Sequence, residues 1–316
     1  MPKVSVIIPI YGVEKYIERC ARSLFEQTLD EIEYIFVDDK TKDNSLKILE
    51  EVISNYPNRK KQITILHHDV NIGLPQARKT GVLEATGEYI AHCDSDDWVD
   101  HDMYRAMYER GKIEDADVVV CDYYQSNGQG VNKLFKGCIC SDRDTFIDHL
   151  FCGKVTWAVW NKMFRKSTCY NGIIYPKKNM GEDMALCIQS TLLARKITYV
   201  PQPFYYYFDN LGSITKPRLK SKEKILADYM AVKENAKILF EIISSKNYNG
   251  LNINEAYIEY SVVAPLFPLT YRKKYRNICF NTYAGLFRRV LCSRGIALKC
   301  KIKIFLAKIY LFPSRL

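Results

Sequence analysis

The stretch VSVIIPIYGVEKYIERCARSLFEQTLDEIEYIFVDD, residues 4–39, decides the fold class. It contains two near-continuous apolar runs, 4–10 and 32–37, of the kind that form strands covered on both faces of a sheet. Between these runs, apolar residues recur at helical spacing at Val13, Ile17, Cys20 and Leu24. A strand, a helix with one buried face and a second strand are the unit of a parallel sheet with a crossover helix. The stretch therefore predicts an α/β fold with an open sheet.

The same alternation continues to about residue 125. Three further β-rich runs predict strands at 63–66, 88–92 and 117–123. From about residue 142 the pattern is less regular and predicts a helix near 143–151, an aromatic stretch at 155–164, a helix from Asp183 to about 195 and a strand ending at Pro201. Beyond about residue 220 the chain reads as helices, and the break in the apolar pattern places a boundary near 216–221.

The formal net charge of +10 is concentrated in the C-terminal segment. Residues 271–316 contain 12 Lys and Arg and no Asp or Glu, so residues 1–270 carry 34 basic and 36 acidic side chains. Because the main body is nearly neutral, we expect no nucleic-acid partner. The composition, 47% hydrophobic and 26% charged, also excludes collagen, coiled coil and wholesale disorder.

The cysteines and the apolar runs bear on the cellular compartment. Eleven cysteines are scattered without a CxxC pair, which favours reduced cytoplasmic thiols over a disulfide framework or a zinc knuckle. The N-terminal residues enter a strand-like run at once, without a secretory pattern. No apolar run reaches the ~18 residues that a membrane-spanning helix needs. We therefore expect a cytoplasmic protein that is soluble or peripheral to a membrane.

Two clusters of carboxylates follow predicted strands. Asp38–Asp39 ends the second strand, and Asp94–Asp97 ends the fourth. Ligands of open α/β sheets bind at the carboxyl ends of the strands. Close-set carboxylates repel one another unless a hard divalent cation binds them. The clusters therefore predict a site for a hard divalent cation and a diphosphate. The first strand runs into Pro9–Gly12 without a GxGxxG motif, which argues against a nicotinamide or flavin enzyme.

Six blocks, taken in chain order, resemble the family 2 inverting glycosyltransferases of GT-A fold. They are VSVIIPIY (4–11), IFVDD (35–39), DNS (43–45), NIGLPQARKTGVLEATGEYIAHCDSDD (71–97), WNKMFRK (160–166) and GED (181–183). The resemblance implies a GT-A catalytic domain with a Rossmann-like open sheet at 1–215. Its nucleotide-binding half would cover about 1–125 and its acceptor-binding half about 126–215. A basic helical C-terminal region, 216–316, would follow.

The resemblance also implies an activity. It implies transfer of a sugar with inversion from a nucleotide-sugar donor, expected to be UDP-linked, to a saccharide or lipid-linked saccharide. The reaction would use Mn²⁺ or Mg²⁺ and would serve bacterial capsule, cell-wall or lipopolysaccharide synthesis. Two alternatives stay open at this point. A nucleotidyltransferase on a related sheet is disfavoured because Pro9–Lys15 is not a Gly-rich basic loop. A non-catalytic scaffold that binds sugar nucleotides is disfavoured by the carboxylates Asp94, Asp96 and Asp183.

Individual roles follow from matching positions in the blocks. Five positions match residues that bind the nucleotide: Pro9, Tyr11, Asp39, Arg78 and Asp94. Asp96 matches the metal ligand, and Asp97 is expected to support the turn. Asp183 matches the base that removes the acceptor proton, with Glu182 orienting or binding the acceptor. Trp160 is expected to line the acceptor cleft.

Each of these residue types also has an ordinary structural explanation. An arginine such as Arg78 often lies on a helix surface, and a tryptophan such as Trp160 usually belongs to a hydrophobic core. Glu182 and Asp183 open a helix-like run, where acidic residues stabilise the helix dipole. These explanations compete with the functional ones until the arrangement of the side chains is known.

The C-terminal part departs from the family at one position and adds a basic segment. Phe208 stands where the family usually has an arginine. Either Lys216 or Arg218 is expected to substitute for it, or this segment is expected to close differently. In 297–312, one helical face is apolar, comprising Leu298, Ile302, Phe305, Ile309 and Phe312. Two roles are open for this face, which either packs on the catalytic domain or lies on a membrane. The uncompensated charge of 271–316 favours an anionic membrane surface, here the inner face of the cell membrane.

Overall fold

The computed structural model describes residues 1–130, 132–137, 140, 142–151, 154–210 and 222–245, together with 298, 301, 302 and 305. The strands are β1 (Val4–Ile10), β2 (Ile32–Asp38), β3 (Ile63–His67), β4 (Tyr89–His92), β5 (Trp98–Val99), β6 (Val118–Ser126), β7 (Asn132–Phe135), β8 (Lys162–Arg165) and β9 (Ile197–Phe208). The helices are α1 (Ile17–Phe25), α2 (Ser45–Ser54), α3 (Leu74–Glu84), α4 (Met103–Ile113), α5 (Arg143–Phe151), α6 (Lys166–Cys169), α7 (Glu182–Leu193) and α8 (Lys222–Ser245). A 3₁₀ helix, Pro57–Gln62, precedes β3.

The N-terminal half of the sheet is parallel, as the sequence predicts. The strand order β3-β2-β1-β4 follows from parallel pairing of β1 with both β2 and β4, and of β2 with β3. β1 is buried along its whole length because helices cover both faces of the sheet. Val6 and Ile8 point into the core shared with α1, whereas Ile7 points into the core shared with α3. The carboxyl ends of β1, β2 and β4 therefore lie at one edge.

The C-terminal half of the sheet is mixed. It continues from β4 in the order β8-β6-β9-β5, and β7 pairs with β6. β8 is antiparallel to both of its neighbours, whereas β9 is parallel to β6. The sequence pattern predicts the strand observed as β6. It does not predict β8, since it indicates only an aromatic stretch at 155–164, which overlaps this strand. The sequence pattern also predicts a strand that ends at Pro201, whereas β9 runs on to Phe208. β9 stays paired with β6 over this length because the register shifts at Cys121–Tyr123 of β6.

Close packing of α3 on the sheet fixes the helix that carries Arg78. Gly81 lies against β1 and β2, and a Cβ atom at this position would overlap the side chain of Ile7 and contact Val37 at 3.3 Å. A residue with a side chain would therefore push the helix away from the sheet. Arg78 lies about one turn before this contact.

The long helix α8 packs against α7. Its residues Ala236 and Leu239 are buried in one core with α7 residues such as Ile188. α8 follows the predicted boundary at 216, yet it shares this core with the preceding domain. Within the described residues, no helix combines the length and the hydropathy that a bilayer-spanning segment requires.

Candidate active site

Residues from four parts of the sequence meet at the carboxyl edge of the parallel strands. Tyr11 and Asp39 directly follow β1 and β2, and Asp94 is the second residue after β4; β1 pairs with both of the other strands. The first turn of α7 contributes Glu182 and Asp183, which reach the same edge by contacting Arg78 of α3. This is the place where ligands bind in open α/β sheets.

Arg78 is the centre of this arrangement. Its side chain is fully buried, and Nε donates a hydrogen bond to Glu182 Oε1 at 2.9 Å. Nη2 donates to Asp94 Oδ1 at 3.0 Å and to Asp183 Oδ1 at 3.2 Å. Burial by itself disfavours the charge, but the three carboxylates outweigh it and hold the pKa of Arg78 well above its usual value. The guanidinium thus joins the end of β4 to the start of α7, and its predicted nucleotide contact stays a prediction.

The three carboxylates differ in how far solvent reaches them. The side chain of Glu182 is 3% exposed, whereas those of Asp94 and Asp183 are 24% and 33% exposed. Burial raises the pKa of Glu182 well above its usual range, against the opposing charge of Arg78. Burial also raises the pKa of Asp94 to about 6, again opposed by Arg78. The Asp183 carboxylate is therefore partly open to solvent, whereas Glu182 faces Arg78. The predicted roles of both residues toward an acceptor stay predictions.

The backbone before α7 places both acidic residues in its first turn. Gly181 precedes the helix and has a φ of 79°, in the left-handed region that glycine adopts without strain. The partial positive charge of a helix N-terminus stabilises carboxylates in the first turn. The helix-dipole explanation and the site role are thus compatible for Glu182 and Asp183.

Asp39 anchors the loop that leads into α3. Its carboxylate accepts hydrogen bonds from Ile72 N–H at 2.9 Å and from Gly73 N–H at 2.8 Å. His68 Nδ1 lies 2.8 Å from the same carboxylate, whose residue is only 3% exposed. The protein itself therefore uses most of the hydrogen-bonding capacity of Asp39. Contact with a nucleoside stays a prediction for this residue.

The two predicted positions on and after β1 have different environments. Pro9 is buried within β1, and its carbonyl oxygen accepts a hydrogen bond from Ser95 Oγ at 2.7 Å. It thereby ties β1 to the loop that contains Asp94 and Asp96. Tyr11 is 52% exposed at the end of β1, where its ring is available to a ligand.

Tyr205 of β9 supports the loop after β4 through its hydroxyl group. Asp97 is buried, and its carboxylate accepts hydrogen bonds from Tyr205 Oη at 2.6 Å and from Phe208 N–H at 2.7 Å. Tyr205 Oη also accepts a hydrogen bond from Asp94 N–H at 3.1 Å. Asp97 thus supports the turn, as expected. Tyr205 belongs to the run YYYF, 205–208, and this run does not by itself indicate which tyrosine reaches the loop.

Asp96 has a carboxylate geometry that suits a divalent cation. The residue is partly exposed, and its Oδ2 accepts a hydrogen bond from Asn210 Nδ2 at 3.1 Å. Within the described residues, Oδ1 has no hydrogen-bond donor. Mg²⁺ often takes only one or two protein carboxylates and completes its shell with phosphate oxygens and water. Asp96 therefore fits the role of a metal ligand beside a diphosphate.

A second acidic group lies away from this loop, before α4. Asp100, His101 and Asp102 offer ligand atoms within 4.8 Å of one another. Asp102 already accepts hydrogen bonds from Thr28 at 2.7 Å and Arg105 at 2.6 Å. Exposed acidic groups of this kind are common without a metal ion.

Comparison with known proteins identifies the family. The sequence profile of glycosyl transferase family 2 matches residues 5–170. The chain belongs to this family. EpsH of Bacillus subtilis is 32% identical over 76% of this chain and 70% of its own length. The glycosyltransferase GlyG of Streptococcus pneumoniae is 26% identical over 88% of this chain and 94% of its own length.

The fold of this family 2 member is GT-A-like, as expected from the sequence. The crystal structure of S. aureus TarS 1–349 in complex with UDP-GlcNAc superposes with a TM-score of 0.71 at 20% sequence identity. The superposition covers 98% of this chain and 91% of the TarS chain. At this identity the likeness describes the fold.

An arginine from α1 lies beside Phe208, the position at which this family 2 chain lacks the expected arginine. The Arg19 guanidinium is 4.5 Å from the ring centre of Phe208 and 3.8 Å from that of Trp98. Its Nη2 donates a hydrogen bond to the Asp96 carbonyl at 2.8 Å. The helical pattern of α1 gave no signal for this contact. The predicted substitutes, Lys216 and Arg218, lie outside the described residues.

Trp160 belongs to a stack of aromatic rings and is only 5% exposed. Its ring is stacked on Tyr205 with centroids 4.3 Å apart and meets the edge of Tyr123 at 4.7 Å. Tyr207 is stacked on it as well, at 5.6 Å. Its place at the acceptor cleft stays a prediction. The clearest role that this packing gives Trp160 is to support the neighbouring aromatic rings.

We expect Arg78→Met to lower the free energy of unfolding by about 3–5 kcal/mol, because it leaves Glu182 and its neighbouring carboxylates without their buried counter-charge. Urea titration at pH 7 measures this change. Lys79→Met alters the next residue of α3, which is exposed, and should change the free energy by about 0.5 kcal/mol or less. Equal stability of the two variants would contradict the central role of Arg78.

Proposed function

We propose that the protein transfers a sugar with inversion from a UDP-linked donor to a hydroxyl group of a saccharide or lipid-linked saccharide. The observation that carries this proposal is the contact of Arg78 with Asp94 and Asp183, which sets an accessible carboxylate beside the loop expected to hold the diphosphate. Family membership supports the reaction class. The TarS complex with UDP-GlcNAc supports the choice of a UDP-linked donor.

Asp183 acts as the general base in this proposal. Its exposed carboxylate accepts the proton of the acceptor hydroxyl while the hydroxyl oxygen forms a bond to the anomeric carbon. The bond from that carbon to the diphosphate oxygen breaks on the opposite face, so UDP leaves with the bonding electron pair. Arg78 and Glu182 keep Asp183 in place. General-base catalysis of this kind contributes a factor of roughly 10²–10⁴.

Asp96 would hold Mn²⁺ or Mg²⁺, which stabilises the negative charge on the leaving diphosphate when it is bound. Asp94 would face the ribose of the donor, and Arg78 limits the repulsion between Asp94 and its acidic neighbours. Tyr11 and Asp39 would contact the nucleoside at the ends of β1 and β2. These roles require the loop after β4 to keep its position, which Asp97 and Tyr205 maintain.

The acceptor belongs, in this proposal, to a bacterial surface glycan. The similarity to GlyG, named as a glycosyltransferase, supports a role in glycan assembly without naming the acceptor. A screen of UDP-sugars for release of UDP, with and without candidate saccharide acceptors, tests the donor and the acceptor class together.

We expect Asp183→Asn to reduce transfer by a factor of roughly 10²–10⁴, because the amide cannot act as the base. UDP binding in Mn²⁺ should stay unchanged, because the asparagine side chain has the same size and shape as that of aspartate. A coupled assay of UDP release measures transfer, and calorimetric titration measures binding. Glu109→Gln, an exposed carboxylate-to-amide change on α4, serves as the control. Wild-type transfer by Asp183→Asn would rule out this residue as the base.

We expect Asp96→Ala to weaken Mn²⁺-dependent binding of UDP by about tenfold or more, since the variant loses its cation ligand. Titration of UDP in Mn²⁺ and in EDTA separates the metal-dependent part of the affinity. Asp69→Ala, which alters an exposed carboxylate away from the loop after β4, is the control. Identical Mn²⁺ dependence in wild type and Asp96→Ala would reject the assignment.

We also propose that 271–316 attaches the protein to an anionic membrane surface. Most of this segment, including Ile309 and Phe312, lies outside the described residues. Three residues of its apolar face are described, and Leu298, Ile302 and Phe305 are 72%, 50% and 44% exposed. An apolar helical face beside several lysines is typical of a helix that lies in a membrane interface.

Changing Lys299, Lys301 and Lys303 to Gln should weaken binding to phosphatidylglycerol vesicles by about 100-fold, at ~1 kcal/mol for each cation. Vesicle flotation measures the bound fraction, with phosphatidylcholine vesicles as the neutral surface. Gln at Lys60, Lys61 and Lys79, exposed lysines of the main body, is the matched charge control. Undiminished binding of the tail variant would exclude this attachment.

A further inference from the structure

The loop 176–181, which leads into Glu182 and Asp183, is held by α3 on one side. Gln76 Nε2 donates a hydrogen bond to the Pro176 carbonyl at 3.1 Å. Leu74 N–H donates to Asn179 Oδ1, also at 3.1 Å. These contacts tie the loop to the first turn of the helix that carries Arg78.

On its other side the same loop is held by one side chain of α8. Asn235 is 1% exposed, and its Nδ2 donates to the Lys178 carbonyl at 2.7 Å and to the Met180 carbonyl at 2.9 Å. An amide NH₂ group has two hydrogens to donate, so both are used on this one loop. The second of these carbonyls lies only two residues before Glu182.

Packing of α8 extends to the residue from which α7 starts. A Cβ atom added to Gly181 would lie 3.1 Å from Val232 Cγ1 and 3.3 Å from its Cα. Val232 lies three residues before Asn235, on the same face of α8. The face of α8 around Val232 and Asn235 therefore determines where α7 begins.

An asparagine at position 235 is less favourable for the stability of the fold than an apolar residue would be, if the side chain served only to fill space. Its Oδ1 is buried and has no hydrogen-bond partner within the described residues. A buried acceptor without a partner destabilises the fold, and an apolar residue of similar size would avoid this cost. The two hydrogen bonds from the amide to the loop offset this destabilisation.

We propose that Asn235 is a positioning residue that fixes Asp183 for proton abstraction by holding the carbonyl groups of Lys178 and Met180. This inference rests on the proposed function for its catalytic consequence, but not for its structural one. Without the two hydrogen bonds, the loop moves relative to α3, and the carboxylate of Asp183 loses its alignment with the acceptor. An error of about 1 Å at such a group lowers the rate by a factor of up to about 10².

The test uses the full chain and a matched control on the same helix face. Asn235→Ala removes both donors, whereas Leu239→Val removes one buried methylene group a turn further along α8, where the side chain packs on α7. Hydrogen exchange measures opening of the backbone at 177–183. We expect Asn235→Ala to accelerate exchange there by about tenfold, and Leu239→Val to leave the local pattern unchanged. Equal acceleration in both variants, or none in Asn235→Ala, would overturn the proposal.

The kinetic arm separates positioning from general stability. With UDP-N-acetylglucosamine and UDP-glucose as donors, kcat for UDP release should fall by about tenfold or more in Asn235→Ala, while KM for the donor stays within about twofold. Asn235→Ser, which retains one donor, should give an intermediate kcat. Faster exchange with an unchanged kcat would refute the positioning role.

The two arms also distinguish this inference from the proposed function. If the wild type turns over neither donor while the exchange difference is present, the proposed function fails for these two donors, and the structural role of Asn235 stands. If Asn235→Ala does not fold, the exchange and kcat of Asn235→Ser decide the question in the same way.

Discussion

A single buried guanidinium sets the distances within the candidate site. Arg78 binds Asp94 after β4 and Glu182 and Asp183 at the start of α7, so it joins the parallel half of the sheet to α7 where ligands are expected. Without it, the carboxylates would repel one another in a region largely closed to water. Because the cation is completely buried, its position depends on α3, and the absence of a side chain at Gly81 lets that helix approach β1.

The N-terminus of α3 is linked to the opposite end of the site. Asp39 binds the backbone N–H groups of Ile72 and Gly73, and Leu74 donates to Asn179 in the loop before α7. The residue expected to meet the nucleoside is therefore connected through one helix start to the residue expected to remove the acceptor proton. A displacement of this helix start would disturb both ends of the site together, which explains why the protein uses a buried carboxylate to hold it.

The sequence predicts the parallel half of the sheet well because local patterns determine it. Apolar runs and helical spacing indicate β1 to β4, and the acidic clusters indicate the edge at which a ligand binds. Side-chain partners follow from tertiary packing, so the contacts of Arg78 with carboxylates could not be predicted, nor those of Tyr205 with the loop after β4. β8 has only four residues and lies within an aromatic stretch, so its alternation was too short to identify.

The contact of Arg19 with Phe208 shows that a guanidinium can lie beside a position where the family usually has an arginine, although it belongs to a residue elsewhere in the sequence. Residue 208 lies beside the loop after β4, and a guanidinium is present there, but it comes from α1 and lies over the rings of both Phe208 and Trp98. Planar arginine is suited to such stacking, and its N–H groups remain able to donate, as one does to the Asp96 carbonyl. Phe208 therefore contributes a surface against which a cation from another element is held. A guanidinium therefore lies beside the loop after β4 although the residue at 208 is apolar.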